Sequence, residues 1–148
     1  MTVNSFMELA LAEARAAGEA GEVPVGAVVV RDGAVLARAG NRTIADRDPT
    51  AHAELLAIRA AARALGSERL VDCDLYVTLE PCTMCAGAIS FARIRRLYFG
   101  ARDPKGGAVE NGVRFFAAPT CHHRPEVEGG FGESDSATLL RDFFRARR

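Results

Sequence analysis

Apolar and small residues recur at helical spacing in four stretches of the chain. This spacing places them on one face of a helix, with polar residues on the other face. Gly21 ends the first stretch and Gly66 ends the second, which Thr50 precedes as a helix cap. The predicted helices are Asn4–Ala20, Ala51–Leu65, Thr83–Phe91 and Glu133–Arg147.

Between these stretches, β-branched and aromatic residues form short runs bounded by turn residues. Arg31-Asp32-Gly33 separates the first two runs and predicts a tight hairpin. The third and fourth runs flank a helix, so we expect a parallel, right-handed crossover. The predicted strands are Val25–Val30, Ala34–Ala39, Asp74–Leu79, Arg95–Phe99 and a short strand near Val127.

Together these elements predict an α/β fold. We expect a single three-layer domain over residues 1–148, with a mixed five-stranded sheet and helices on both faces. The segment Gly100–Gly112 contains four glycines, which predicts a flexible loop. Residues 115–126 show no clear pattern.

The composition is that of a globular protein, with 49% apolar and 26% charged residues among 148. A net charge of zero gives no overall attraction to nucleic acid or to a membrane. The longest apolar run, Val25–Val30, is too short to span a bilayer, and the N-terminus lacks a secretion-signal pattern. Four cysteines in this setting predict reduced thiols and a cytoplasmic location.

Positive charge is nevertheless concentrated in two segments. Such clusters indicate either a surface for a polyanion such as RNA, or a solvated face and a helix end, where arginine is favoured. The last eight residues hold four arginines against Asp142. The other segment holds Arg93, Arg95, Arg96, Arg102 and Lys105.

Two cysteines, Cys82 and Cys85, stand where a predicted strand is followed by a helix. Residues three apart share a helix face, and a helix N-terminus favours the thiolate that binds metal. His52 begins the upstream helix and can supply a third ligand. One histidine and two cysteines leave the fourth tetrahedral position open, which predicts one catalytic Zn²⁺ per subunit.

Glu54 is the candidate general base. Neutral His52, two thiolates and Zn²⁺ sum to zero formal charge, so this centre acidifies its water less than three neutral histidines would. Positions i and i+2 of an ideal helix point about 200° apart, so Glu54 is not expected to bind the same ion as His52. Each motif alone has another interpretation: an acidic helix start for His-x-Glu, and a redox pair or half a zinc knuckle for Pro-Cys-x-x-Cys.

Found together, the two motifs are the signature of the zinc-dependent cytidine and nucleobase deaminases. Further segments resemble the bacterial tRNA-specific adenosine deaminases over nearly the whole chain. These segments are Asn41-Arg42, Asp48–Glu54, Tyr76–Ile89, Arg93–Arg96, Phe99–Asp103 and Asp142–Arg148.

The resemblance implies a cytidine-deaminase-like fold, a homodimer and a tRNA anticodon stem-loop as substrate. It implies hydrolytic deamination of the wobble adenosine to inosine by zinc-activated water, with Glu54 moving the protons to adenine N1 and to the leaving ammonia.

The resemblance also implies substrate contacts. Asn41 would contact the flipped nucleoside, and the backbone at Glu80, Pro81 and Cys82 would line its pocket. Asp103 would border the nucleotide near the reactive base, and the loop from Gly100 to Lys105 would contact the anticodon loop. In the terminal helix, Phe144 would meet a base, although it also fits that helix's apolar stripe. Phosphates would meet Arg145, Arg147 and Arg148.

Two alternatives remain at this point. The same zinc site could deaminate a free base or nucleoside such as guanine or cytosine, without need of a basic terminal helix. A structural zinc site in a module that binds RNA would require a fourth ligand, which Cys121 or His122 could supply. The Cys121-His122-His123 run is otherwise a polar loop, and Cys73 is expected to be a small, partly buried residue.

Overall fold

The computed structural model describes residues 2–147, which form five strands, four α-helices and one short 3-10 helix at Phe115–Ala117. The α-helices are α1 (Val3–Glu19), α2 (Ala53–Leu65), α3 (Thr83–Ala92) and α4 (Glu133–Arg145). The strands are β1 (Gly26–Arg31), β2 (Ala34–Gly40), β3 (Cys73–Leu79), β4 (Arg96–Ala101) and β5 (Glu126–Gly129).

The sheet is mixed, in the strand order β2-β1-β3-β4-β5. Strand β1 is antiparallel to both neighbours, whereas β3, β4 and β5 run parallel to one another. The predicted hairpin joins β1 to β2, and both Asp32 and Gly33 have positive φ, as a two-residue turn requires. The predictions of a five-stranded mixed sheet and of a parallel β3–α3–β4 unit are confirmed.

Helices cover both faces of the sheet. On one face, α2 and α3 pack against β-strand residues such as Val29, Val77 and Phe99. On the other face, α1 packs on Val28 and Tyr76, and Leu139 of α4 joins that cluster. The three-layer prediction is therefore confirmed, and neighbouring residues along each strand point into different layers.

The helix ends differ from the sequence prediction at α2. The residue that precedes the helix is His52, with extended backbone angles of φ −77° and ψ 150°. Thr50 instead forms a turn, donating from its N–H and its hydroxyl to Asp48 Oδ1 at 2.8 and 2.7 Å. The prediction of Thr50 as the cap is wrong, because the helix begins at Ala53 and Thr50 lies two residues before the N-cap position, which His52 occupies.

The other end of α2 follows the prediction. Gly66 ends the helix in the left-handed conformation, with φ of 66°. Within residues 2–147, no helix is both long enough and apolar enough to cross a bilayer.

Candidate active site

Two helix N-termini meet at the predicted metal ligands. His52 is the residue that directly precedes α2, Cys82 directly precedes α3, and Cys85 lies in the first turn of α3. His52 Nδ1 lies 3.6 Å from the sulfur of Cys82 and 3.6 Å from that of Cys85. Among the residues that the structure describes, these three form the one group of His, Cys, Asp and Glu side chains that could share a metal ion.

The geometry of this group fits zinc. Tetrahedral Zn²⁺ with bonds of about 2.3 Å to sulfur and about 2.0–2.1 Å to nitrogen places those two atoms roughly 3.5–3.6 Å apart. The observed nitrogen–sulfur separations of 3.6 Å agree with this value. Three ligands of these types are the set expected for a catalytic zinc site.

The charges of the three ligands depend on one another. A hydrogen bond from Cys85 lowers the pKa of Cys82 to about 4. The same interaction, followed by burial, raises the pKa of Cys85, and the Cys82 sulfur raises the pKa of His52. Of the two cysteines, Cys82 therefore more readily forms the thiolate that binds metal.

Glu54 lies in the first turn of α2 and is 4% exposed. Burial raises the pKa of its carboxyl to about 6. It lines the same pocket as His52 and Cys82. Because His52 has extended rather than helical backbone angles, the ideal-helix separation of i and i+2 does not apply here, and both side chains reach one site. A carboxyl with this pKa can both accept and donate a proton near neutral pH.

The pocket above these residues has a volume of about 320 Å³. This size is in the range of small-molecule sites. Its lining residues are Val23, Val25, Asn41, Thr43, His52, Glu54, Leu79, Glu80, Cys82, Asp103 and Gly106.

Asn41 has a structural role in addition to its place in the pocket wall. Its Oδ1 accepts a hydrogen bond from the backbone N–H of Ala53 at 2.8 Å. This bond satisfies a free N–H at the start of α2, which the side chain of His52 does not cap. Asn41 therefore fixes the helix start that carries His52 and Glu54.

A wider groove of about 820 Å³ continues from this pocket. Four residues, Val23, Leu79, Asp103 and Gly106, line both spaces. The groove is further lined by Arg102, Lys105, Leu140, Phe144 and Arg147. Loop 102–106 and helix α4 thus form an open extension of the metal-site pocket.

The remaining residues that were predicted to contact the substrate differ in their exposure and position. Phe144 is 48% exposed and faces the groove, so it lies outside the apolar core. Pro81 is buried, and its carbonyl accepts from Ala108 N at 2.8 Å. Arg145 is exposed on the last turn of α4. Arg148 lies outside the described residues.

Ion pairs account for most of the basic segment near β4. Arg95 pairs with Asp74 at 3.0 Å and Arg96 pairs with Glu126 at 3.1 Å. Arg102 pairs with both Glu110 and Glu133, at 2.7 and 3.0 Å. Of the five basic residues in this segment, three are therefore paired with carboxylates, and Lys105 supplies a cation to the groove.

Two buried glutamates hold segments of the pocket wall in place through hydrogen bonds. The sequence did not predict a role for either side chain. Glu22, 2% exposed, accepts from the backbone N–H groups of Ile44 and Ala45 at 3.1 and 2.8 Å. Glu80, also 2% exposed, accepts five hydrogen bonds from the segment Asp103–Asn111. The predicted flexible loop is therefore tied to the end of β3.

The environment of Glu80 suits an ionised carboxylate. Burial alone would raise its pKa, but the hydrogen bonds from Asp103, Asn111, Glu110 and Val109 lower it below the usual value. Several charge-assisted hydrogen bonds are the usual reason for such a lowered pKa. The donors lie 23 to 31 residues further along the chain, so no local sequence signal indicates this role.

The Cys121-His122-His123 run does not form a second metal cluster. Cys121 is buried beside Ser90, with 3.6 Å between Sγ and Oγ, and His122 is exposed. His123 Nε2 donates to the Ile94 carbonyl at 2.7 Å. These contacts hold residues 121–123 against the end of α3. Elsewhere in the fold, Cys73 is fully buried, at 0% exposure, whereas the sequence predicted partial burial.

The fold and the site together define a class of protein. A three-layer α/β domain with His-x-Glu on one helix and Cys-x-x-Cys on the next, arranged around one pocket, is the architecture of the zinc-dependent deaminases.

Comparisons with known proteins agree with this class. The family model for the cytidine and deoxycytidylate deaminase zinc-binding region matches residues 1–101. A tRNA-specific adenosine deaminase from Agrobacterium fabrum is 70% identical over 143 residues, 97% of this chain and 94% of that protein. The Bacillus subtilis protein of the same name is 44% identical over 97% of this chain and 89% of its own length.

Solved structures extend the similarity. One from a study of A-to-I editing by tRNA:A34 deaminases at the wobble position has a TM-score of 0.91 and 70% identity, covering 92% of this chain and 99% of that chain. Guanine deaminase from Bacillus subtilis has a TM-score of 0.69 at 35% identity, covering 99% and 94%. The chain belongs to the bacterial tRNA-specific adenosine deaminases, within the zinc-dependent deaminases.

Proposed function

We propose that this chain deaminates the wobble adenosine of a tRNA anticodon, forming inosine and ammonia with consumption of one water. Membership of the tRNA-specific adenosine deaminases supports the reaction. The observation that supports an RNA substrate is the groove of about 820 Å³. It continues from the metal-site pocket and is lined by Lys105, Phe144 and Arg147. A groove of this composition offers cations to phosphates and an aromatic ring to an unstacked base.

The chemistry is assigned to four residues. His52, Cys82 and Cys85 would hold one zinc ion per subunit, whose contribution when bound is to lower the pKa of a water molecule at the open position. Glu54 accepts a proton from the attacking water and delivers it to adenine N1. It then takes the second proton, from the hydroxyl group added at C6, and gives it to the amino nitrogen that leaves as ammonia, so that inosine is left with a C6 carbonyl. Burial of the Glu54 carboxyl supports this role, because its raised pKa of about 6 suits transfer in both directions.

The walls of the pocket would hold the adenosine. The Oδ1 of Asn41 is engaged with Ala53, so its Nδ2 is the atom that would donate to the nucleoside. The backbone at Glu80 and Pro81 would line the base, and Asp103 would lie beside the neighbouring nucleotide. In the groove, Lys105 and Arg147 would meet phosphates, and Phe144 would stack on a splayed base. The resemblance implies phosphate contacts for Arg145 and Arg148 as well.

We further propose that the protein is a cytoplasmic homodimer. The resemblance implies the dimer, and Phe91 at the end of α3 supports it, since this side chain is 78% exposed. An exposed apolar side chain beside a groove lined by Leu55, Ile58 and Ala88 suits a protein contact. Size-exclusion chromatography with light scattering measures the oligomeric state directly, and a monomer at micromolar concentration would contradict the dimer.

The test of the function is inosine formation on an anticodon stem-loop that carries a wobble adenosine. Free adenosine, guanine and cytosine are assayed in parallel, with Glu54→Ala as the inactive control. We expect inosine in the stem-loop alone, lost in the variant. If a free base were converted and the stem-loop stayed unreactive, the zinc-dependent reaction would still hold. The protein would then be a deaminase of free bases or nucleosides, which is the alternative function.

A further inference from the structure

The carboxylate of Glu80 is the centre of a hydrogen-bond cluster beside the active site. It lies directly after β3 and is 2% exposed. Five hydrogen bonds of 2.7–3.1 Å converge on its two oxygens. The donors are the backbone N–H groups of Asp103, Val109, Glu110 and Asn111 and the side-chain amide of Asn111.

We propose that Glu80 is a positioning residue for the RNA substrate. Its carboxylate holds the segment Asp103–Asn111, called here the anchored loop, in the conformation that forms one wall of the pocket and of the groove. This inference rests on the proposed function, because it assigns the anchored loop to binding of the stem-loop. It adds a role for the Glu80 side chain to the contact proposed for its backbone.

A carboxylate suits this task because it has only acceptors. Its two oxygens offer about four lone-pair sites, and each accepts from N–H groups without needing to donate. The backbone N–H groups of Val109, Glu110 and Asn111 all point to Oε2, at 3.0, 2.9 and 3.1 Å. A neutral amide at position 80 would turn one NH₂ group towards these donors and repel them.

The loop backbone comes unusually close to this carboxylate. A Cβ built on Gly107 would lie 2.5 Å from Glu80 Cδ and 2.6 Å from Oε2. Glycine at position 107 is therefore required for the loop to sit on the carboxylate. This contact offers a way to disturb the arrangement from the loop side while Glu80 itself is unchanged.

The anchored loop carries groups that face the substrate. Asp103 and Gly106 line both the pocket and the groove. Asp103 Oδ1 accepts from the N–H groups of Lys105 and Gly106 at 3.2 and 3.0 Å, so the placement of Lys105 depends on that of Asp103. Since Glu80 Oε1 accepts from Asp103 N at 3.0 Å, it fixes the start of this turn.

The catalytic groups do not depend on the anchored loop in the same way. His52 and Glu54 are placed by α2, whose first N–H is held by Asn41, and Cys85 is fully buried in α3. Displacing the loop should therefore weaken binding of the stem-loop more than it slows the reaction of bound substrate. This expectation separates a positioning role from a general effect on stability.

The experiment compares Glu80→Gln, Gly107→Ala and Asn111→Ala with the wild-type protein. The matched control is Glu126→Gln, which removes an exposed carboxylate that pairs with Arg96 away from the pocket. Steady-state kinetics on the anticodon stem-loop, zinc content and amide hydrogen exchange of residues 103–111 are measured for each protein.

We expect Glu80→Gln and Gly107→Ala to raise KM by about tenfold or more, with kcat within about threefold of wild type. Asn111→Ala, which removes one of the five hydrogen bonds, should raise KM less. Amide exchange should become faster in the anchored loop and stay unchanged in β1 and β3. Zinc content should stay at the wild-type level, and Glu126→Gln should match wild type in every measurement.

Unchanged KM in Gly107→Ala together with faster loop exchange would overturn the proposal, and this variant decides the question if Glu80→Gln fails to fold. A fall in kcat or in zinc content without a rise in KM would also overturn it, since Glu80 would then act on Cys82. Failure of the proposed function has a different signature: a zinc-loaded wild-type protein that leaves the stem-loop unchanged.

Discussion

Around the three metal ligands, side-chain oxygens that accept hydrogen bonds from backbone N–H groups shape the pocket. Asn41 holds the first N–H of α2, Glu22 holds Ile44 and Ala45, and Glu80 holds the anchored loop. Each acceptor is paired with main-chain donors that would otherwise be without a partner in a partly buried site. These residues set the positions of the groups that face the substrate.

The first prediction at this scale concerns the proton carrier. Glu54→Gln keeps the size of the side chain but cannot carry the proton, so we expect kcat to fall by about 10²- to 10⁴-fold. Zinc content should not change, because the proposed ligands are His52, Cys82 and Cys85. Inosine formation and metal analysis check both points, and near-normal turnover in the zinc-loaded variant would exclude Glu54 as the proton carrier.

A second prediction separates the two roles of Asn41. Asn41→Asp keeps an acceptor for Ala53 N–H at a helix start that favours negative charge, so thermal stability should be retained. It lacks the amide donor, so KM for the stem-loop should rise. Asn41→Ala should raise KM as well and also lose about 0.5–2 kcal/mol of stability, as measured by chemical denaturation. Equal stability losses in both variants would show that the cap is not formed by Oδ1.

At the scale of elements, α4 is held to the sheet near its N-terminus, and its C-terminal turn is exposed. The hydroxyl of the buried Ser136 donates to the carbonyl of Thr78 on β3. Phe144 in the last turn and Arg147 just beyond the helix line the groove, and the Arg147 guanidinium lies 3.4 Å from the centre of the Phe143 ring. The helix is therefore anchored next to the end of β3, from which the chain continues to Cys82.

The prediction for this element is that Phe144→Ala weakens binding of the stem-loop. Stacking on a base contributes about 1–3 kcal/mol, so affinity should fall by roughly 5- to 150-fold. Binding is measured in a Glu54→Ala background, which prevents turnover. Val71→Ala is the control, since Val71 is also apolar and exposed, at 53%, but does not line the groove. Equal affinities for the two variants would remove Phe144 from the RNA surface.

At the scale of the whole molecule, the candidate metal site joins two helices of one layer. The ligands come from the starts of α2 and α3, which pack on the same face of the sheet. The sheet and the opposite layer, with α1 on Val28, Val30 and Tyr76, contain none of these ligands. Binding of a metal should therefore stabilise a fold that its apolar core already supports.

Removal of the metal by a chelator should abolish deamination and lower the melting temperature without unfolding the protein at 25 °C. A ligand at 100 times its Kd stabilises the folded state by about 2.7 kcal/mol, so a shift of several degrees is expected. Circular dichroism follows the melting temperature, and added Zn²⁺ should restore it. Glu54→Gln serves as the control, because it should show the same shift. Complete unfolding on chelation would assign the metal a structural role.

Local pattern alone determined much of this protein. Hydrophobic spacing predicted the helices and strands, because burial on one face imposes a period on the sequence. The spacing of His52, Glu54, Cys82 and Cys85 predicted that these side chains share one site, and the structure brings them together because each motif lies at the start of a helix.

Only the tertiary structure decided which residues pair across the chain. The carboxylates of Glu22 and Glu80 meet N–H groups more than twenty residues away, and Arg102 meets Glu133 on another element. The same holds for Phe144, whose exposure depends on how α4 lies across the sheet. Such contacts depend on the relative placement of distant elements, and local spacing carries no information about that placement.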